Sequence, residues 1–182
     1  MTIVDSAFSV AATMVCGPTI GFVLAAATWH KLAEPDRFRL SIVDYRIVPS
    51  AAAPHVARLL VAVEGLLAAM LLVLPSVREA GLAAAGLLVL YTAAIGVNLL
   101  RGRSDLDCGC GFEPAPIGLG KIATNLALVA MALAAALAPP PGGVLVWISV
   151  HLVALNAVVS TVVLSVLWRT AKRSAAISGA AP

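Results

Sequence analysis

Residues 80–116 read AGLAAAGLLVLYTAAIGVNLL and then RGRSDLDCGCGFEPAP. The first part, residues 80–100, carries no charged side chain and reaches the ~20 residues that a helix needs to cross the hydrocarbon core of a bilayer. The second part, residues 101–116, is polar. It opens on Arg101 and Arg103 and holds two of the chain's three cysteines, Cys108 and Cys110, separated only by Gly109. An apolar run resumes at Ile117. The pair of runs reads as two membrane helices joined by a short loop that carries chemistry.

The same alternation extends in both directions. Apolar spans are expected at residues 7–29, 55–74, 80–100, 117–138 and 144–168. Of the 182 residues, 61% are hydrophobic and 12% charged, whereas a soluble domain is about half apolar and a quarter charged. The expected fold is all-α, a polytopic integral membrane helical bundle. Residues 1–173 form a single membrane domain and residues 174–182 a disordered tail. The net charge of +3 comes from clusters at helix ends, and aromatics are 5% of the chain. No basic stripe with interleaved aromatics is present, so no nucleic-acid partner is expected. Three cysteines are too few, and odd in number, for a disulfide framework. The N-terminus lacks the positive region of a secretory signal, so the first helix is expected to stay attached.

Within the first span, Cys16-Gly17-Pro18 interrupts the apolar pattern, and Pro18 predicts a kink near Met14 and Val15. Cys16 reads either as a small packing residue or as a third redox thiol. Trp29, His30 and Lys31 close the span, as suits a headgroup region. The polar connection over residues 31–54 carries Phe38, Ile42 and Tyr45 at helical spacing, which predicts an amphipathic interfacial helix; a plain surface loop is the alternative. In the second span Glu64 stands alone among apolar residues. Its insertion costs about 2.5–3.5 kcal/mol on translocon scales, so it is expected to be protonated or paired. His30, Lys31, Arg58 and Asn98 are the candidate partners, and the role is either a polar staple between helices or proton handling. Gly81, Ala85 and Gly86 give the third span small faces for close helix approach. Asn125 lies one turn beyond Lys121 in the fourth.

Lysines and arginines set orientation in the membrane. Eleven of the twelve fall on one set of loops and helix ends, at residues 31–58, 101–121 and in the C-terminal tail; Arg78 alone falls on the other. The N-terminus is therefore expected outside, and the C-terminus and the cysteine loop in the cytoplasm, in a cell membrane. Two cysteines one residue apart close only a small, strained disulfide, and strained disulfides are the labile or catalytic ones. Gly109 and Gly111 let a partner approach closely. Arg101 and Arg103 favour a thiolate, while Asp105 and Asp107 oppose it. A metal site would need Cys108, Cys110, Asp107 and a histidine together; no ligand spacing links them and no metal is expected. Two loop cysteines that merely pack are the remaining reading.

Lys31-Leu32, Phe38, Tyr45, Pro49, Glu64-Gly65, Arg101-Gly102-Arg103 and Asp107-Cys108-Gly109-Cys110-Gly111-Phe112 together resemble the MauE family of methylamine utilisation membrane proteins, within the wider DoxX-like redox-associated group. The resemblance covers residues 10–138. It implies a DoxX-like core of four helices, with the fifth span as an extension. It also implies a role in maturation, processing or export of the methylamine dehydrogenase small subunit, and a thioredoxin-like partner. The family reads Cys-Gly-Cys-Phe-Gly where this chain has Gly111-Phe112 in the opposite order.

The expected function is that of a membrane thiol–disulfide redox protein supporting maturation of a client protein. Cys108 and Cys110 are the exchanging pair, and Lys31, Tyr45 and Glu64, with Asp107, Gly109 and Gly111, are the supporting residues. The exchange partner is a thioredoxin-like protein or a lipid-soluble quinone. The rival readings are a maturation or transport scaffold without redox turnover, and a membrane anchor subunit that docks a soluble enzyme on residues 31–54.

Overall fold

The computed structural model describes residues 15–73, 78–107, 109 and 116–137, together with positions 148, 152 and 155. Among the described residues there are five α-helices and no strand: α1 (Gly17–Ala33), α2 (Pro35–Tyr45), α3 (Ala53–Val73), α4 (Arg78–Leu100) and α5 (Leu119–Leu137). Ser50–Ala52 forms a 3-10 turn ahead of α3. The span expected at 144–168 lies outside the described residues apart from three isolated positions.

Among the described residues, three segments are long and apolar enough to cross a membrane: Ser50–Val73, Arg78–Leu100 and Leu119–Leu137. Their outer faces carry Leu59, Leu66, Val89, Leu90, Val97 and Leu126, all exposed, while Lys31, Glu64 and Asn98 are buried. Apolar outside and charged inside is the arrangement for a lipid solvent, and the chain is an all-α membrane protein.

Each helix begins and ends for a local reason. Pro18 sits in the first turn of α1, where its missing N–H costs nothing. The kink expected near Met14 and Val15 falls at the edge of the described residues, which exclude Met14; residues 15 and 16 form a wider π-type turn leading into the helix. Glu34 alone separates α1 from α2. Its N–H donates to His30 O at 3.0 Å and its carbonyl accepts from Phe38 N at 3.2 Å, so the chain makes a sharp elbow. Pro35 starts α2, and Arg46 ends it at φ 50°, an uncommon left-handed position for a residue with a Cβ. Arg101 Nη1 donates to the Arg46 carbonyl at 3.4 Å. At the end of α4, Gly102 has φ +73°. Its N–H donates to Leu99 O at 2.9 Å and that of Arg103 to Asn98 O at 3.0 Å, the two bonds of a Schellman cap.

The helices pack as two close pairs, α1 with α3 and α4 with α5. The pairs meet more thinly through α3 with α4 and α1 with α5. Small residues set the spacing. A Cβ on Gly21 would lie 2.8 Å from the Leu72 side chain, and one on Gly81 would lie 2.9 Å from the Ala132 carbonyl. Gly86, grouped with Gly81 and Ala85 from sequence, faces outward with nothing within 4 Å. Ile20, Leu24, Leu67, Leu71, Ala80, Ala84 and Ala132 form the core.

Candidate functional site

Lys31 is the last cation of α1 and Glu64 lies midway along α3. Close packing of these two helices brings them together. Lys31 Nζ donates to Glu64 Oε1, with both side chains almost wholly buried. The Tyr91 hydroxyl of α4 donates to the same oxygen at 2.7 Å. The ammonium lies 4.9 Å from the centre of the Phe38 ring and 5.1 Å from that of Tyr91, a desolvated cation flanked by two aromatic faces. Four helices thus meet at one charge pair. Glu64 Oε2 is buried and accepts no hydrogen bond among the described residues.

The sequence singles out Lys31 and Glu64, and of the four candidate partners for Glu64 it is Lys31 that pairs. Asn98 is buried but turned to its own helix end. It donates to Ala94 O at 3.1 Å and accepts from Arg103 Nη1 at 3.1 Å. Arg58 is exposed. Tyr91 is missed by sequence reasoning. The signal available was its position: tyrosines favour the membrane interface, and Tyr91 stands in the middle of an apolar span.

The loop after α4 folds back onto α2. The Leu106 carbonyl accepts from Ile117 N at 3.0 Å and Asp107 pairs with Pro116 in an isolated antiparallel bridge. Asp107 and Pro116 thus form a neck. Arg37 of α2 grips that neck: its Nε and Nη2 donate to Asp107 Oδ2 at 3.0 and 2.8 Å, and its Nη1 donates to Glu34 Oε2 at 3.0 Å. The hydrogen bonds to Glu34 and Asp107 hold the guanidinium further on its charged side, raising its pKa above the ordinary arginine value. Asp107 Oδ1 accepts from Gly109 N at 3.3 Å. Gly109 has φ +67°, and a Cβ there would meet Ser41 at 3.3 Å and Phe38 at 3.5 Å. The left-handed backbone favours glycine at this position, and a Cβ would press on α2 as well.

Asp107 and Gly109, the chain neighbours of Cys108, thus sit at the elbow that buries Lys31. A small cleft of about 20 Å³ there is lined by His30, Lys31, Glu34, Arg37, Phe38 and Gly109; that is room for about one water. Cys108, Cys110 and Gly111 lie outside the described residues. Cys16 is a free, half-buried thiol at the opposite end of α1, about 22 Å of helix rise from Lys31. Among the described residues no cluster of three or more His, Cys, Asp or Glu could hold a metal.

A second, larger cavity of about 180 Å³ lies between α2, α3 and α4. Phe38, Ile42 and Tyr45, expected as the apolar face of an interfacial helix, line it together, with Lys31 and Tyr91 on the same wall. The face turns toward the bundle because α2, tied to α1 by one residue, packs across α3.

A family model described as "Methylamine utilisation protein MauE" matches residues 9–138. Three relatives carry the name "Methylamine utilization protein MauE". That of Methylophilus methylotrophus is 36% identical over 156 residues, covering 84% of this chain and 80% of the relative. That of Paracoccus versutus is 40% identical over 127 residues, covering 66% and 68%. That of Paracoccus denitrificans is 36% identical over 124 residues, and the match spans 66% of this chain and 66% of the relative's own length. No solved structure matches the chain.

Proposed function

The chain belongs to the MauE family of methylamine utilisation proteins, and from that membership we propose that it is a membrane thiol–disulfide redox protein supporting maturation of a partner protein of methylamine utilisation. Cys108 and Cys110 exchange with a thioredoxin-like protein or with the client itself, the small subunit of methylamine dehydrogenase on this reading. In each exchange one S–S bond breaks in the oxidised partner and one forms in the reduced one, through a mixed disulfide. Two electrons and two protons change hands and none is left over.

The observation that carries this reading is the docking of the loop. One chain neighbour of Cys108, Asp107, is held on α2 by Arg37, and the other, Gly109, donates to Asp107 and lies so near α2 that a Cβ on it would meet Ser41 and Phe38. Anchoring of the described residues beside the pair favours a reactive loop over a slack connection. Lys31, Glu64 and Tyr45 shape the charged end of the adjoining cavity in this account. Cys16, at the far end of α1, takes no part in the exchange. The Lys and Arg bias supports an orientation with the N-terminus outside and the loop in the cytoplasm.

The test is replacement of Cys108 and Cys110 by Ser, singly and together, in a strain that depends on this chain for client maturation. Loss of mature client with the variant still present in the membrane is expected. Intact maturation in the double variant would sink the redox reading and leave a non-redox scaffold. On that rival the buried pair is the essential element, and Glu64→Gln would be the harmful change.

A further inference from the structure

The cavity between α2, α3 and α4 asks for nothing polar. Ser41 Oγ donates to the Arg37 carbonyl at 3.1 Å, the Tyr91 hydroxyl donates to Glu64, and the Lys31 ammonium is held by Glu64 between two aromatic rings. The rest of the wall is largely apolar, with Ile42, Val56, Leu60 and Ala94 among its residues. Ile47 and Leu90, which also line it, are 48% and 57% exposed. Leu90 lies midway along a segment long enough to cross the membrane, so the opening faces lipid.

At its other end the cavity meets two arginines. Arg46 stands in the chain between Tyr45 and Ile47, both of which line the cavity. Arg101 directly follows α4 and donates to the Arg46 carbonyl. One apolar segment ends at Leu100 and another starts at Ser50, so both arginines sit where spans leave the hydrocarbon. Both are exposed, and among the described residues neither forms an ion pair. Arg46 is also the one described residue other than glycine with a positive φ, at a helix-ending position where glycine would be unstrained. A side chain kept on such a backbone points to a use for that side chain. We propose that the cavity holds part of one acyl chain of an anionic phospholipid, whose phosphate is bound by Arg46 and Arg101.

Size and charge select this ligand. An apolar cavity of ~150 Å³ takes a benzene molecule, so about 180 Å³ takes a short stretch of acyl chain and leaves the remainder in the bilayer. A guanidinium presents a fork of N–H donors that matches a phosphate. Two cations without carboxylate partners favour a headgroup of net negative charge; a choline headgroup would bring a cation back beside them. Basic pockets beside membrane helices on the cytoplasmic side take anionic headgroups in general, and the Lys and Arg bias supports that side for this end.

The full chain, purified in dodecyl maltoside and stripped of lipid, is titrated with dioleoyl phosphatidylglycerol or dioleoyl phosphatidylcholine, and bound lipid is counted by native mass spectrometry. One phosphatidylglycerol should bind about tenfold or more tighter than phosphatidylcholine. Arg46→Gly, which suits the left-handed backbone, and Arg101→Gln should each weaken phosphatidylglycerol by about fivefold, the worth of one cation at an anionic lipid surface, and leave phosphatidylcholine unchanged. Arg58→Gln removes another exposed cation, on α3, and should change neither. Ala94→Trp and, on a different helix, Val56→Trp fill the cavity and should weaken both lipids, with helix content checked by circular dichroism. Equal binding of the two lipids by the wild type, or a loss in Arg58→Gln as large as in the Arg46 and Arg101 variants, overturns the phosphate site. Unaltered binding in both folded Trp variants overturns the acyl-chain site. No bound lipid at all overturns both and gives the cavity to another segment of the chain.

Discussion

At the residue scale, the buried pair has one sign of error that the protein cannot tolerate. Lys31 is 3% exposed and Glu64 fully buried, so removing either partner strands the other. Lys31→Met should cost about 3–5 kcal/mol of stability, the usual penalty for breaking a buried pair. Lys31→Met combined with Glu64→Met should recover most of it, because the strain lies in an unbalanced charge rather than in a lost attraction. Chemical unfolding in mixed micelles measures both; a double variant no more stable than the single one would refute the account. Tyr91→Phe removes one hydrogen bond to Glu64 and should cost about 1–2 kcal/mol. Half of this cluster was legible beforehand. A lone carboxylate in an apolar run must find a partner, and a lysine at the end of the preceding helix is a natural one. The second donor was hidden because a tyrosine in an apolar run reads first as bulk, and the Arg37–Asp107 pair was hidden because 70 residues separate its members.

At the scale of elements, two glycines on one helix should behave oppositely. Gly81 presses on the Ala132 backbone of α5, and Gly86 meets nothing within 4 Å. Gly81→Val should force α4 and α5 apart and cost about 1–3 kcal/mol or more, while Gly86→Val should leave thermal stability unchanged within about 0.5 kcal/mol. Equal losses in the two variants would mean that the pairing of α4 with α5 is wrongly drawn. The apolar runs announced the helices themselves, since their length and lack of charge leave few alternatives. Which face of each helix meets which neighbour was beyond the sequence: all-round apolar helices carry little amphipathic signal, and in lipid the small residues that decide packing are scattered on every face. For α2 the spacing of Phe38, Ile42 and Tyr45 gave the helix and its apolar face correctly, but what that face would cover depended on the one-residue elbow at Glu34.

At the scale of the whole molecule, charge is distributed by end. Of the nine lysines and arginines among the described residues, eight lie at or near the end that carries the loop, and Arg78 alone lies at the other. That bias predicts that Cys108 and Cys110 in a Cys16→Ala background react with an impermeant maleimide only after cells are permeabilised; labelling of intact cells would invert the orientation. The buried pair has one further consequence, for how the chain is made. Lys31 and Glu64 are 33 residues apart, and both leave the ribosome before any part of α4. The N-terminal portion of a chain folds first during synthesis. The carboxylate can therefore meet its cation before α4 is made, which would spare the insertion machinery a solitary charge in lipid.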